Sequence, residues 1–397
     1  MERKEVSLKF MLTLVIITSA LTATLVILIF IFYGNEYDHD EQSSDTSRFY
    51  EVLELIDTRF IGNYDLEQII DAAIRAAVDS LDDQWSHFMN QAEYEAFLET
   101  ADNTYAGIGV TVDSDYEIGG MRVTGVHRDS GAYTAGIIIG DVITAIDGES
   151  IAGISIADIR LSLRRPIGDT VNLTVFRADG EFHEMTVIYS IVFIDPVSYE
   201  MLEGYIGYVQ LRNFDVGSAD SFIIAVNNLI EQGAVAFIFD VRSNNGGRVN
   251  EITQILDFLL PEGDIFISIN RTGVENITVS DEYMIDLPAV VLVNSNSFSG
   301  AEFFAAMLSE FEYAYTVGEP TTGKNRMQTT IALDNGGAVV LSTGEYLTRN
   351  RVSLFDVGGF TPDFIIPLTA EQYRDALTLG PDAGIDPQLE KAIYLLT

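Results

Sequence analysis

Serines stand at positions 295, 297 and 299, in the run Asn294-Ser295-Asn296-Ser297-Phe298-Ser299-Gly300-Ala301-Glu302, between an apolar strand-like segment and a helical pattern. A serine hydroxyl at a helix start meets the partial positive charge of unpaired N–H groups, which favours an alkoxide or an oxyanion. The same residue types are ordinary helix caps, so this loop alone does not define a nucleophile. A base is also needed. The lysines of the chain are Lys4, Lys9, Lys324 and Lys391, and arginine supplies the remaining fixed cations. Lys324 lies in the loop Thr322-Gly323-Lys324-Asn325. A desolvated lysine, unlike an arginine, can lose its proton and act as general base towards a hydroxyl. A third loop, Asp240-Val241-Arg242-Ser243-Asn244-Asn245-Gly246-Gly247, ends in paired glycines whose backbone freedom lets N–H groups converge on an oxyanion.

Competing chemistries find less support. The histidines are His39, His87, His127 and His183, all upstream of the segment holding Ser299, so a Ser-His-Asp triad lacks a base there. With no cysteine there is no thiolate nucleophile or thiolate metal site. Neither an HExxH motif nor a phosphate-cradling loop is present, and no metal or cofactor is expected. A net charge of −38 argues against nucleic acid as a partner, because a phosphate backbone would be repelled.

The elements that must position these loops follow from periodicity. From about residue 195 onward, strand runs such as Ala234-Val235-Ala236-Phe237-Ile238-Phe239 and Ala289-Val290-Val291-Leu292-Val293 alternate with helices over 220–231, 249–260 and 301–308, which is α/β patterning around a buried sheet. In such sheets functional loops gather at the strand ends. Residues 105–190 read as a β-rich module of short strands punctuated by glycine. Residues 48–104 carry apolar positions at helical spacing and serve as packing elements. Upstream, Arg3, Lys4 and Lys9 precede an uncharged run over 10–33, long enough for one transmembrane signal anchor, with a cytoplasmic tail over 1–9 and a polar tether over 34–47. The expectation is a single-pass cell-membrane protein with an extracytoplasmic catalytic part.

Two resemblances sharpen this reading. The run Ser130-Gly131-Ala132-Tyr133-Thr134-Ala135-Gly136-Ile137-Ile138-Ile139-Gly140-Asp141-Val142-Ile143, with Ile146-Asp147-Gly148, resembles the PDZ signature of bacterial proteases. It implies that Gly107, Ile108, Gly109 and Val110 offer backbone N–H groups to a peptide's terminal carboxylate. Ser297 to Glu302, Gly318-Glu319-Pro320-Thr321-Thr322-Gly323-Lys324 and Gln328 together resemble the active-site blocks of the C-terminal processing, or tail-specific, peptidases. The resemblance implies a ClpP/crotonase-like α/β core over 191–397, Ser299 as nucleophile three residues before the glutamate, Lys324 as base, and Gln328 orienting the lysine. It further implies Gly300 with Gly246 or Gly247 at the oxyanion, and protein or peptide substrates with a free C-terminus. A homodimer is compatible with the sequence. Phe298, Thr322 and Asn325 depart from the family's usual residues, and they keep open an alternative: a PDZ receptor whose protease-like part is only a scaffold.

Overall fold

The computed structural model describes residues 42–163, 165–334, 336–369, 371–374 and 386–397. The chain divides into two units, Met1–Ile70 and Asp71–Thr397, and the second holds every residue discussed below as part of a site. In the first unit the helix Gln42–Arg59 begins inside the stretch expected to be a tether. The expectation of a membrane-spanning helix is corrected: among the described residues no helix is long and apolar enough to cross a membrane. Gln42–Arg59 is the longest of them at 18 residues, but its sequence includes Arg48, Glu51, Glu54, Asp57 and Arg59, which hydrocarbon would not solvate. Residues 10–33, where that helix was expected, lie outside the described residues.

A six-stranded sheet forms the centre of the second unit, in the order Val197–Leu202, Ile206–Leu211, Ala236–Asp240, Ala289–Val293, Ala314–Gly318, Phe364–Ile365. The first pair is antiparallel and the rest are parallel. Alternation along the strands divides their side chains between two faces. Phe237, Phe239, Val291 and Val293 join a core with the helices Ser218–Glu231, Val249–Leu259 and Gly300–Glu310. Ile238, Val290 and Leu292 face the other way, onto Leu389 and Ala392 of the helix Pro387–Leu396. Continuous apolar runs such as Ala236–Asp240 are thus strands buried on both sides. The parallel strands ending at Asp240, Val293 and Gly318 are neighbours, so the loops that follow them leave the sheet at one end.

A second sheet pairs Ala338–Leu347 with Arg326–Ala332, Gly263–Asn270 and the short strand His87–Met89. This last pairing carries residues from the N-terminal helical segment to the loop that holds Lys324. The β-rich module is a six-stranded sheet over its own core, with Val123, Ile143, Leu173 and Val187 fully buried. The glycine-rich run 107–112 belongs to two strands: Thr104–Gly107 pairs with Ser190–Phe193, and Gly109, at φ +86°, turns the chain into Val110–Asp115. Only glycine takes that conformation without strain.

Phe304 is fully buried among Phe214, Phe222 and Phe239, with ring centroids 5.7–6.4 Å apart. Phe304→Ala is expected to lower the unfolding free energy by about 3–5 kcal/mol, the cost of a large aromatic deletion from a packed core, measured by urea denaturation.

Candidate active site

The structure separates the three serines. Ser297 is fully buried, donates to the Val241 carbonyl at 2.8 Å and accepts from the Asn294 N–H at 3.0 Å, so it is a structural link between two loops. Ser295 is exposed, and its hydroxyl makes a long 3.4 Å contact to Glu319. Of the three, Ser299 lines a cavity of about 750 Å³, whose wall also includes Trp85, Gly247, Gly300, Lys324 and Tyr346. Ser299 caps the helix Gly300–Glu310 at φ 56° and ψ −120°. A residue with a side chain rarely adopts that backbone region, and the surroundings must hold it there.

Glu302 supplies the hold. It is fully buried, and its carboxylate accepts four hydrogen bonds: from the N–H groups of Ser299 at 2.8 Å, Lys324 at 2.6 Å and Gly323 at 2.8 Å, and from the Thr321 hydroxyl at 2.6 Å. A buried carboxylate is tolerated when its lone pairs are so occupied. The serine loop and the lysine loop are therefore joined through one side chain. In the sequence Glu302 served only to count back to Ser299.

Lys324 is half-buried, and burial pushes its amine down to about 8 against the pull of the nearby Glu302 and Asp83 carboxylates. Its Nζ lies 4.3 Å from the centroid of the Trp85 ring and 5.8 Å from that of Phe298. The Tyr346 hydroxyl donates to the Lys324 carbonyl and lies beside the Ser299 hydroxyl, while burial raises its pKa. Gln328 lines the same cavity, but its amide donates to the Arg326 carbonyl at 2.9 Å and to the Ser342 hydroxyl at 3.3 Å. Among the described residues it makes no hydrogen bond to the Lys324 amine.

The glycine loop is held from below. Arg242 is clamped between Asp240, at 2.6 Å, and Asp386, also at 2.6 Å, and Tyr208 donates to Asp240 at 2.6 Å. Asn244, fully buried, accepts from the Gly246 N–H at 2.8 Å, donates to the Leu211 carbonyl at 2.8 Å, and accepts the Phe298 N–H on its backbone at 3.2 Å. A Cβ on Gly246 would sit 2.8 Å from the Ser299 Cβ, and one on Gly247 would sit 2.3 Å from the backbone of Phe214. Both positions therefore require glycine, for close approach as well as for positive φ. Asn325, a departure from the usual residue, is buried and donates to Ser353 at 2.8 Å; Thr322 donates to the Ser295 carbonyl at 3.1 Å. Each is tied to a neighbouring segment by that bond, Asn325 in the interior and Thr322 at the surface.

At the other candidate site, the Ile108 carbonyl accepts from Ala132 at 2.8 Å and the Gly109 carbonyl from His127 at 3.0 Å. The Tyr105 ring lies on Gly107, where a Cβ would come within 2.4 Å of it. The Tyr105 phenol is partly buried, and that burial raises its pKa. The sequence did not single out Tyr105, Tyr346 or the Arg242 network. Nor did it single out Trp85, the chain's one tryptophan.

Comparison with known proteins agrees with this arrangement. The peptidase family S41 pattern matches residues 205–366, and a PDZ-domain pattern matches 122–177. The carboxy-terminal processing protease CtpA of Bacillus subtilis is 27% identical over 344 residues, covering 85% of this chain and 73% of its own length. The chloroplastic carboxyl-terminal-processing peptidase 1 of Arabidopsis thaliana is 30% identical over 303 residues, covering 73% of this chain and 61% of its own. An S41-type structure from Bacteroides fragilis shares the fold at a TM-score of 0.53 and 17% identity, over 85% of this chain and 92% of that one. Fold and sequence together define a serine-type peptidase with a PDZ domain, acting on proteins. The chain belongs to peptidase family S41, the carboxy-terminal processing proteases.

Glu302→Gln replaces two acceptor oxygens by one and sets an amide NH2 against N–H donors. The expected result is a fall in kcat of about 100-fold, from misplacement of the two loops, and a loss of about 2 kcal/mol or more in urea unfolding. Asp215, in the cavity wall, has its carboxyl raised from 3.8 to about 6, chiefly by burial, with Arg248 opposing. Its ionised form is therefore disfavoured in the fold relative to the unfolded chain. That penalty is complete above pH about 6 and disappears as pH falls towards about 4. Asp215→Asn is expected to raise the melting temperature at pH 7.5 and to have little effect at pH 4.

Proposed function

We propose that Ser299 and Lys324 form a Ser-Lys dyad that hydrolyses peptide bonds in proteins whose free C-terminus is held by the PDZ domain. The observation that carries this is the pairing of the two side chains in one cavity, on loops tied together by the buried Glu302, with a lysine whose proton affinity burial has lowered. Neutral Lys324 takes the Ser299 hydroxyl proton as the oxygen attacks the scissile carbonyl carbon. The C–N bond then breaks, the amine leaves with the proton returned by the Lys324 ammonium, and water cleaves the resulting ester by the same route in reverse.

The oxyanion is assigned to the N–H groups of Gly300 and Gly247. Gly246 directs its own N–H to Asn244 and stands outside the cavity wall, whereas Gly247 lines it. Such donors are worth about 3 kcal/mol each in the transition state. At the PDZ domain, the backbone N–H groups of the loop from Gly107 to Val110 receive the substrate's terminal carboxylate. No cofactor takes part in these steps.

The test is cleavage of an unfolded protein with an apolar C-terminus by the full chain. Ser299→Ala is expected to lower kcat by at least about 10⁴-fold. Lys324→Arg is expected to be similarly inert at every pH, because a guanidinium keeps its proton. Because the base must be neutral, wild-type kcat/KM should rise as pH increases through about 8. Full activity in Ser299→Ala would remove the dyad.

A further inference from the structure

Trp85 and Phe298 come from distant parts of the chain to the same amine. The two rings are 6.1 Å apart and inclined by 31°, with the Lys324 Nζ 4.3 Å from one centroid and 5.8 Å from the other. Both rings are carried on anchored backbone. The Trp85 N–H donates to Asp83 at 3.3 Å, and the adjoining Ser86 hydroxyl donates to Asp83 at 2.6 Å and accepts the Ser342 N–H at 3.0 Å. Phe298 is fixed by its N–H to the Asn244 carbonyl at 3.2 Å. Among the described residues, no carboxylate lies within ion-pair distance of the Lys324 amine and no hydrogen bond joins that amine to Ser299. Trp85 is also a wall shared by two cavities, of about 750 and 1270 Å³.

We propose that Trp85 and Phe298 form an aromatic cage that holds the ammonium form of Lys324 and sets the pH at which the amine is released to Ser299. An aromatic face attracts a cation and has no comparable hold on a neutral amine. The cage therefore keeps the proton on Lys324, while desolvation by the same walls drives it off. Trp85 is a positioning residue: it acts on the reaction through the lysine.

Several other groups face this site. Glu302 and Asp83 favour the ammonium by charge, Tyr346 donates to the Lys324 backbone carbonyl, and Glu302 also fixes the Lys324 N–H. His87, Tyr94, Asp215, Arg248 and Arg326 line the same cavity, and burial raises the Asp215 carboxyl to about 6, still below the lysine. The proposal rests on Lys324 being the general base, and the experiment has one arm that does not depend on turnover.

Trp85 is the only tryptophan, so its fluorescence in the full-length protein reports on the cage directly. Wild type is expected to show a fluorescence transition with a midpoint near pH 8, and Lys324→Met is expected to lack it. In activity, Trp85→Leu keeps an apolar wall but removes the ring face. The rising limb of kcat/KM is expected to move to lower pH by about one unit, and by less in Trp85→Phe, which retains a weaker ring. A flat fluorescence profile in wild type, or the same transition in Lys324→Met, overturns the cage without reliance on any variant that fails to fold. An unmoved limb in Trp85→Leu overturns its control of the base. If Lys324→Arg remained active, the dyad itself would fall, and the fluorescence transition would separate that result from failure of the ring contact.

Discussion

The carboxylate of Glu302 is the point on which the site depends. It lies in the interior, where an unpaired charge would be prohibitive, and is stable there because four donors surround it. Three of those donors are backbone N–H groups, from the serine loop and from the lysine loop. Satisfying one buried charge thus fixes the separation of two loops that have no covalent reason to meet. It also helps stabilise the unusual backbone of Ser299, which turns sharply from the end of the strand Ala289–Val293 into the helix Gly300–Glu310.

Beneath this clamp the sheet does the coarse placement. Three neighbouring parallel strands end at Asp240, Val293 and Gly318, and the glycine, serine and lysine loops leave from those ends. The core on one face, rich in phenylalanine, and the helix Pro387–Leu396 on the other hold the strands in register. The glycine loop has its own buried ion pairs, Arg242 with Asp240 and Asp386, which tie it to that C-terminal helix. Removing one partner of such a group is more damaging than its net stabilisation suggests, because an uncompensated charge remains.

The second sheet contributes what the first cannot. By pairing His87–Met89 with Ala338–Leu347 it places Trp85 over Lys324, so a segment that reads as helical packing becomes a wall of the active site. Phe298, a departure from the family's usual small residue, then has a physical place as the second ring near the amine. In the module with the PDZ signature, the Tyr105 ring packs on Gly107, so the loop from Gly107 to Val110 is closely covered by the chain's own aromatic side chain.

Sequence by itself determined the α/β patterning and the glycine-punctuated module, and it offered candidate residues for acyl transfer, because periodicity and side-chain chemistry are local properties. A strand buried on both faces needs an unbroken apolar run, and Ala289 to Val293 is one. A lysine kept where arginine supplies most of the cationic charge is visible in composition alone. The family resemblance already pointed to Ser299, but only the tertiary structure shows why its neighbour is different: Ser297 is buried and bonded to the Val241 carbonyl, whereas Ser299 lines the cavity. The tertiary structure also decided that Gly246 gives its N–H to Asn244, that Gln328 bonds to Arg326 and Ser342, and that Trp85 meets Lys324. These contacts depend on how separate sheets and loops pack together, and residues such as Arg242 and Asp386, 144 positions apart, carry no local signal of one another.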